Sequence, residues 1–398
     1  MSRHLKFICF MLFIGLAANV SSQDAYPVKI GILRSDKIRS ASVNSESGEY
    51  ELIGDGKKLR LLQSNDRVSL TPKGELVNIK LNGTDLGSFR RIVMKGIRWE
   101  STFRLTYTNS AGTSKKRLYD DHLIVRSASN HLTLINEIEL EHYVSGVAEA
   151  EAGTGHNLEY YKVQTIISRT YALANLHRHN AEGFNLCDQV HCQAYKGKAT
   201  HDANIVMAAY ATKGHVLVDA NINYITAAFH SNCGGHTVNA EDVWSKPVPY
   251  LVGRPDTFCL SMPNSHWEKI LRKDEWHGYF SSQKDKELAQ LKDSLSRITF
   301  FPGKKPVFFG DSLRSIKMTK LRHDFKLKSA YFSVYQTIDS VHLTGRGFGH
   351  GVGLCQEGAI RMAQLGFKCS EILHFYYKDV HLIDKENLIF FRDESMVH

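Results

Sequence analysis

Thiols and imidazoles crowd the stretch HRHNAEGFNLCDQVHC, residues 177–192. Cys187, His191 and Cys192 fall within one short loop, and His177 and His179 stand just upstream. Thiolate sulfur and imidazole nitrogen suit zinc, and a structural zinc takes four such ligands in a tetrahedron. The rival chemistry for Cys187 and Cys192 is a disulfide in an oxidising compartment. A second stretch, GRGFGHGVGLCQEGA at residues 345–359, places five glycines in its first nine positions and sets His350 among them. Such a run is entropically costly, so it belongs where the backbone needs positive φ or another group must pass close. A phosphate cradle is one such use, but the spacing fits neither G-x-G-x-x-G nor G-x-x-x-x-G-K-[ST], and no lysine follows. The other use is a tight turn that lines a substrate cleft and leads onto a helix.

The elements that must position these groups change character along the chain. From about residue 27 to 140, short alternating apolar runs are broken by Gly, Asn, Asp and Ser: PVKIGIL, YELIGDGKKLRLL, LVNIKLNG, TFRLTYTN and HLTLINEIEL. These read as strands joined by turns. Then Val163, Ile166, Ile167, Thr170, Leu173 and Ala174 follow helical spacing, predicting a helix over about 158–177 with Asn157 as its N-cap. A β-rich stretch returns at GHVLVDANINYITAAFHSNCGG, with Gly234 and Gly235 marking a sharp turn. Residues 254–300 read as irregular to helical. SAYFSVYQTIDSVHLTG reads as a strand pair entering the glycine loop, and LCQEGAIRMAQLG as a short helix closed by Gly366. The expected fold is α+β: a β-rich N-terminal part over 23–140 and a mixed α/β catalytic core over 141–385, not Rossmann-like, with a tail at 386–398.

The chain has 398 residues and a formal charge of +9. It opens MSRHLKFICFMLFIGLAANVSSQ, where Arg3 and Lys6 precede an apolar run too short to span a bilayer and small residues follow. Residues 1–22 therefore read as a secretory signal peptide cut before Gln23. No later segment is apolar enough to cross a membrane. The mature protein is expected to be exported and soluble, in the periplasm or cell-wall compartment. Removing the leader takes two basic residues and no acidic one, so +9 becomes +7. That excess suits an anionic partner such as wall polymer, and an exported chain has the least occasion to meet nucleic acid. Six cysteines remain, an even number that permits disulfides without specifying their pairing.

The glycine stretch resembles the signature of the SpoIID/LytB family (stage II sporulation protein D), which usually reads GxGxGHGVGMSQxGA. It departs at Leu354 and Cys355, where methionine and serine are usual. YVSGVAEAEAGTGHNLEYYKVQTIISRTYAL is similar to the family block Y-L-x-G-V-V-x-x-E-M-P, a spacer, then K-A-Q-A-V-A-A-R-T-Y. FHSNCGGHT corresponds to the family's Y-H-S-x-S-G-G, and LCDQVHCQAYKG and LRHDFKLKSAYFSV are like further family blocks. The similarity covers roughly residues 28–380.

The resemblance implies lytic cleavage of peptidoglycan glycan strands, preferentially strands stripped of stem peptides, by one glutamate acting as acid and base. The alignment puts that glutamate at Glu151. One carboxyl suffices if the muramic 6-hydroxyl itself attacks and leaves a 1,6-anhydro end, whereas a hydrolase needs a second carboxylate. Arg169 and Tyr171 match the family's R-T-Y. Arg169 is assigned either to a lactyl carboxylate or to orienting Glu151, with an ordinary salt bridge as the alternative. Gln164 matches the family glutamine and is expected to hydrogen-bond substrate or loop. His350 is expected to face Glu151 across the cleft, and Ser231 and Gln356 to contact sugar. Some relatives carry zinc at the CDQVHC block, which favours a structural zinc on His179, Cys187, His191 and Cys192 that is not needed for the chemical step. Cys233 and Cys259 are candidates for a pair. Trp244 and Trp267 read either as sugar platforms or as core. Ala152-Gly153 replaces the family's Met-Pro and removes a stiff turn after Glu151. The second implied role is a non-catalytic wall-binding protein that stimulates a cell-wall amidase.

Overall fold

Alternation in the first third of the chain becomes two antiparallel sheets whose inner faces share one core. The computed structural model describes residues 26–388, apart from residues 99, 110, 283–296, 298, 304 and 311–315. The expected leader and residues 389–398 of the expected tail lie outside the described residues. One sheet has seven strands in the order Leu186–Cys187, Pro27–Ile32, His131–Glu139, His122–Ala128, Ile92–Gly96, Tyr50–Gly54 and Lys57–Leu62. The other has six, Ser114–Asp120, Thr102–Thr108, Ala41–Ser47, Arg67–Lys73, Leu76–Leu81 and Thr84–Phe89. Alternate apolar positions point inward, as with Val28, Ile30 and Ile32, or Phe103, Leu105 and Tyr107, all buried. All five strand-forming runs read in this region are present.

Helices gather against one edge of this β unit: α1 (Leu140–Ala152), α2 (Leu158–Ala174) and α3 (Ala203–Ala211), then the short α4 (Ala240–Trp244). Asn157 caps α2 through its side chain, which accepts from Glu159 N. That helix stops at Ala174 rather than near 177, because Asn175 Nδ2 turns back onto Tyr171 O at 2.8 Å and the chain enters a run of turns. Helix α1 directly continues the strand His131–Glu139, and Glu139 is its N-cap. A separate core forms around Trp267, Trp276, Phe309 and Phe332. Its sheet pairs His266–Arg272 with Ser340–Arg346, which also pairs with Phe332–Gln336. Helices α5 (Lys273–Ser281) and α6 (Met318–Asp324) flank this sheet, and Trp276 is fully buried there, stacked on Phe325. The strand 266–272 was not evident from sequence, since its inward residues Trp267 and Leu271 are separated by charged ones. Helices α7 (Gln356–Gln364) and α8 (Cys369–Tyr376) then return to pack on α2. The strand pairings are antiparallel except for two-residue parallel contacts, Ile30–Gly31 with Leu186–Cys187 and Phe229–His230 with Leu354–Cys355, and a bridge from Val238 to Val352. This is an α+β fold. Among the described residues no helix is long and apolar enough to cross a membrane.

One ion pair joins the first three helices. Arg169 on α2 and Glu141 on α1 are both buried, with Arg169 Nε 2.9 Å from Glu141 Oε1 and the Arg169 Nη2 group on Oε2. The remaining guanidinium donors reach Ala209 O at 3.0 Å, at the end of α3, and His215 O at 3.1 Å, where the strand His215–Val218 begins. A planar fork with several donors can do this; an ammonium cannot. Removing one partner strands an uncompensated buried charge, which typically costs about 3–5 kcal/mol. Arg169→Met should therefore lower stability in urea by that amount. The double variant Arg169→Met/Glu141→Leu should recover most of it. Equal losses in the two variants would mean the pair does not carry the junction.

Candidate functional site

Glu151 is the penultimate residue of α1, at the helix end whose dipole disfavours a negative charge, and that last turn carries no basic residue. Its side chain is partly buried, and Oε1 accepts a hydrogen bond from Ala194 N at 2.7 Å. Burial pushes the carboxyl above its ordinary value, opposed by the Ala194 amide and by the charge of Lys196. A carboxyl so raised is protonated in a larger fraction of molecules at neutral pH, as a general acid requires. Behind it, Gln356 Nε2 donates to Glu151 O at 3.3 Å and to Gln164 Oε1 at 3.3 Å. Gln164 is wholly buried on α2, so it holds Gln356 rather than presenting itself to a ligand. Glu149 is occupied elsewhere, by Thr200 N, His201 N and the His201 ring.

Gly153 follows with φ 74°, a value proline cannot adopt, and its N–H caps Glu149 O at 3.1 Å. The turn that the family stiffens with proline is here closed by a glycine cap. The carboxylate is held instead from outside the helix, by Ala194. A backbone amide leaves no mark in a sequence, so this contact could not have been read there. Beside this turn lies a cavity of about 460 Å³ lined by Ala150, Gly153 and Thr154, with Lys116, Lys196 and Arg117 among its walls. Lys198 and Arg104 also line it; these two are paired with Asp120 and Glu46, and Arg117 with Asp188. Its lining is predominantly basic, with Glu149 as the acidic side chain.

The other expected groups divide. Arg169 is sealed from solvent in its pair with Glu141, so it contacts neither ligand nor Glu151; the ion-pair alternative is what the structure contains. The Tyr171 hydroxyl meets Arg178 and His191 O, which places it over the CDQVHC loop. The His350 imidazole hydrogen-bonds to backbone, with Nδ1 accepting from Val352 N at 3.0 Å and a further bond to Phe229. Burial and the charges of Arg322 and Lys305 lower it to about 4, so it is neutral at ordinary pH. Its ring neighbours are His230 and the exposed Trp244, at 5.4 and 5.6 Å, and Glu151 is not among its partners. Ser231 Oγ accepts from Asn264 Nδ2 at 3.4 Å. Trp267 is core, lying against Gly345 and donating to Ser329 Oγ.

The glycine loop is explained by the chain's own packing. At Gly353, φ is 70° and an added Cβ would stand 2.2 Å from Ala228 O; at Gly347, φ is 77° and it would stand 2.6 Å from Asn232 O. What passes close to this backbone is the segment 228–234, not the open cleft expected from the sequence.

His179, Cys187, His191 and Cys192 do converge, with donor atoms all within 4.8 Å of one another. Cys192 Sγ is 3.5 Å from His179 Nε2 and 3.7 Å from His191 Nδ1, and Cys187 Sγ is 3.8 Å from His191 Nδ1. Glu182 Oε1 holds His179 Nδ1 at 2.6 Å, the outer carboxylate that commonly orients a metal-binding histidine. Both cysteines are free thiols. The set fits a tetrahedral metal. It is also tied to the catalytic candidate: Cys187 is paired with the first strand, and two residues beyond Cys192 comes the Ala194 amide that binds Glu151.

The sequence model of the SpoIID family, described as stage II sporulation protein, matches residues 128–218. That segment contains Glu151, Gln164, Arg169, Tyr171 and the four metal-ligand candidates. The chain is 29% identical over 270 residues to an uncharacterised protein of Brachyspira hyodysenteriae, covering 67% of this chain and 70% of that one. It is 28% identical over 281 residues to stage II sporulation protein D of Bacillus amyloliquefaciens, covering 67% and 79%. It is also 28% identical to an amidase enhancer of Bacillus subtilis, over 59% of this chain and 39% of the enhancer.

The raised carboxyl has a stability consequence of definite sign. Its contribution is full below the unfolded carboxylate range and is lost as pH rises through the higher folded value, so at neutral pH the ionised side chain opposes folding. Glu151→Gln keeps an acceptor for Ala194 N and should stabilise the protein at pH 7 by about 0.5–2 kcal/mol. Thermal melts of the two proteins should converge at acid pH. A lower melting temperature for the variant at pH 7 would contradict this.

Proposed function

We propose that this chain, a member of the SpoIID family, is an exported lytic transglycosylase that cleaves peptidoglycan glycan strands, preferentially peptide-free ones, with Glu151 as its acid and base. The observation that carries the reading is the partly buried carboxyl of Glu151, pinned by the Ala194 amide and pushed above its ordinary value by burial. In the first step the protonated Glu151 gives its proton to the glycosidic oxygen as the bond to the muramic C1 breaks. The resulting carboxylate then takes the proton from the muramic 6-hydroxyl as that oxygen bonds to C1, closing the 1,6-anhydro ring and restoring the acid. No water is consumed, so a second carboxylate is unnecessary. Peptide-free strands carry a free lactyl carboxylate on each muramic residue, and Lys116 and Lys196 are suited to meet that charge. Trp244, exposed beside His350, and Ser231 and Gln356 serve as sugar contacts.

Zinc on His179, Cys187, His191 and Cys192 would supply only a structural bond, since four protein ligands leave no open position. The chain's part is to place Ala194, and through it Glu151. The second reading, a wall-binding stimulator of an amidase, is favoured by the similarity to an amidase enhancer and by the loss of Met-Pro after Glu151.

The two readings separate when the purified protein and Glu151→Ala are incubated with peptide-free glycan strands and the products are weighed by mass spectrometry. Anhydro-ended fragments from the parent, with at least a hundredfold loss in the variant, are expected. Reducing ends would mean hydrolysis. Retained glycan binding without cleavage by either protein would favour the amidase stimulator.

A further inference from the structure

Three of the other cysteines form a second cluster, one of them adjacent in the chain to Gln356. Cys233, Cys259 and Cys355 are all fully buried, as is Asp256, and the four donor atoms lie within 4.8 Å of one another. Cys233 Sγ is 3.3 Å from Cys259 Sγ and 3.3 Å from Asp256 Oδ2. A disulfide would require about 2.05 Å between sulfurs, and all three are free thiols. Tetrahedral zinc with bonds of about 2.3 Å to sulfur instead sets its ligands somewhat under 4 Å apart. Two of the three cysteines replace a serine of the family signature, so the set is a feature of this chain rather than of the family pattern.

The surroundings suit a ligated cation. Asp256 is oriented by the Tyr376 hydroxyl, 2.9 Å from Oδ2, and by Phe258 N, 3.1 Å from Oδ1. Cys355 is the N-cap of α7, and its sulfur accepts from Gly358 N at 3.4 Å and from Cys233 N at 3.3 Å. Three thiolates and a carboxylate around a divalent ion leave a double negative charge. The partly buried Lys305, on whose ammonium all three cysteines act, offsets part of it, reaching Cys233 O at 3.5 Å.

We propose that Cys233, Asp256, Cys259 and Cys355 form a second, structural zinc site, separate from the one at the CDQVHC loop. On binding, the three thiols release their protons to solvent and no electron is exchanged. The ion would join the strand Phe229–His230, the loop at 256–259 and the start of α7. Gln356, next to Cys355, would thereby be fixed against Glu151 O and Gln164.

The full chain, purified from zinc-supplemented medium, should hold two zinc ions by elemental analysis. Cys355→Ser, which restores the family's residue, and Cys187→Ser should each hold one. With cobalt in place of zinc, Cys187→Ser should show the stronger thiolate-to-cobalt charge-transfer band, because its remaining site has three sulfurs. A parent with one zinc, lost in Cys187→Ser and kept in Cys355→Ser, would overturn the proposal. So would a Cys233–Cys259 disulfide found by peptide mapping of the parent. If Cys355→Ser does not fold, zinc released from Cys187→Ser by a mercurial thiol titrant decides: about one ion per chain supports the site and none refutes it.

Discussion

The Arg169–Glu141 ion pair holds together the helical half of this protein, and the position of Glu151 follows from it. Two full charges are removed from water at the crossing of α1 and α2, where the guanidinium also collects carbonyls from the end of α3 and the start of the strand His215–Val218. In a low-dielectric interior such an arrangement is stable only when every donor is used, and that requirement fixes the relative rotation of the helices. Glu151 lies on α1 ten residues from Glu141, so the ion pair sets the helix end from which it projects. A residue that aligns with a functional motif thus acts by building the frame of the site.

On that frame, Glu151 is held by groups brought from two distant parts of the sequence, its carboxyl by one and its backbone carbonyl by the other. Ala194 approaches from the end of the CDQVHC loop, Lys196 lies just beyond it, and Gln356 comes from the start of α7. Both cysteine clusters sit next to these contacts in the chain, Cys192 before Ala194 and Cys355 before Gln356. Cross-linking a loop at such a point restricts the adjacent residue more than packing alone, because loops carry few buried side chains of their own. The glycine loop contributes by close packing: at Gly347, Gly349 and Gly353 its backbone lies against residues 228–234 with no room for a side chain, and burial with the charges of Arg322 and Lys305 keeps His350 neutral.

Much of this was legible in the sequence. Alternating runs identified the β-rich first third, helical spacing and Asn157 identified α2, and Gly366 marked the end of α7, since each depends on local periodicity or local backbone chemistry. The spacing of Cys187, His191 and Cys192 suggested a shared ligand because those residues are close in the chain. Resemblance to a family pattern pointed to Glu151.

Tertiary structure alone decided the rest, because the deciding contacts join residues far apart in the chain. The pairing of Arg169 with Glu141 removed it from the cleft, and nothing local distinguishes a buried arginine from an exposed one on the same helix. The strand His266–Arg272 exists because Ser340–Arg346 is there to pair with it. The convergence of Cys233, Asp256, Cys259 and Cys355 depends on a parallel contact between segments more than a hundred residues apart, which cysteine spacing cannot encode. The sequence by itself determined which residues could do chemistry. The packing of sheet on helix determined which of them share a site.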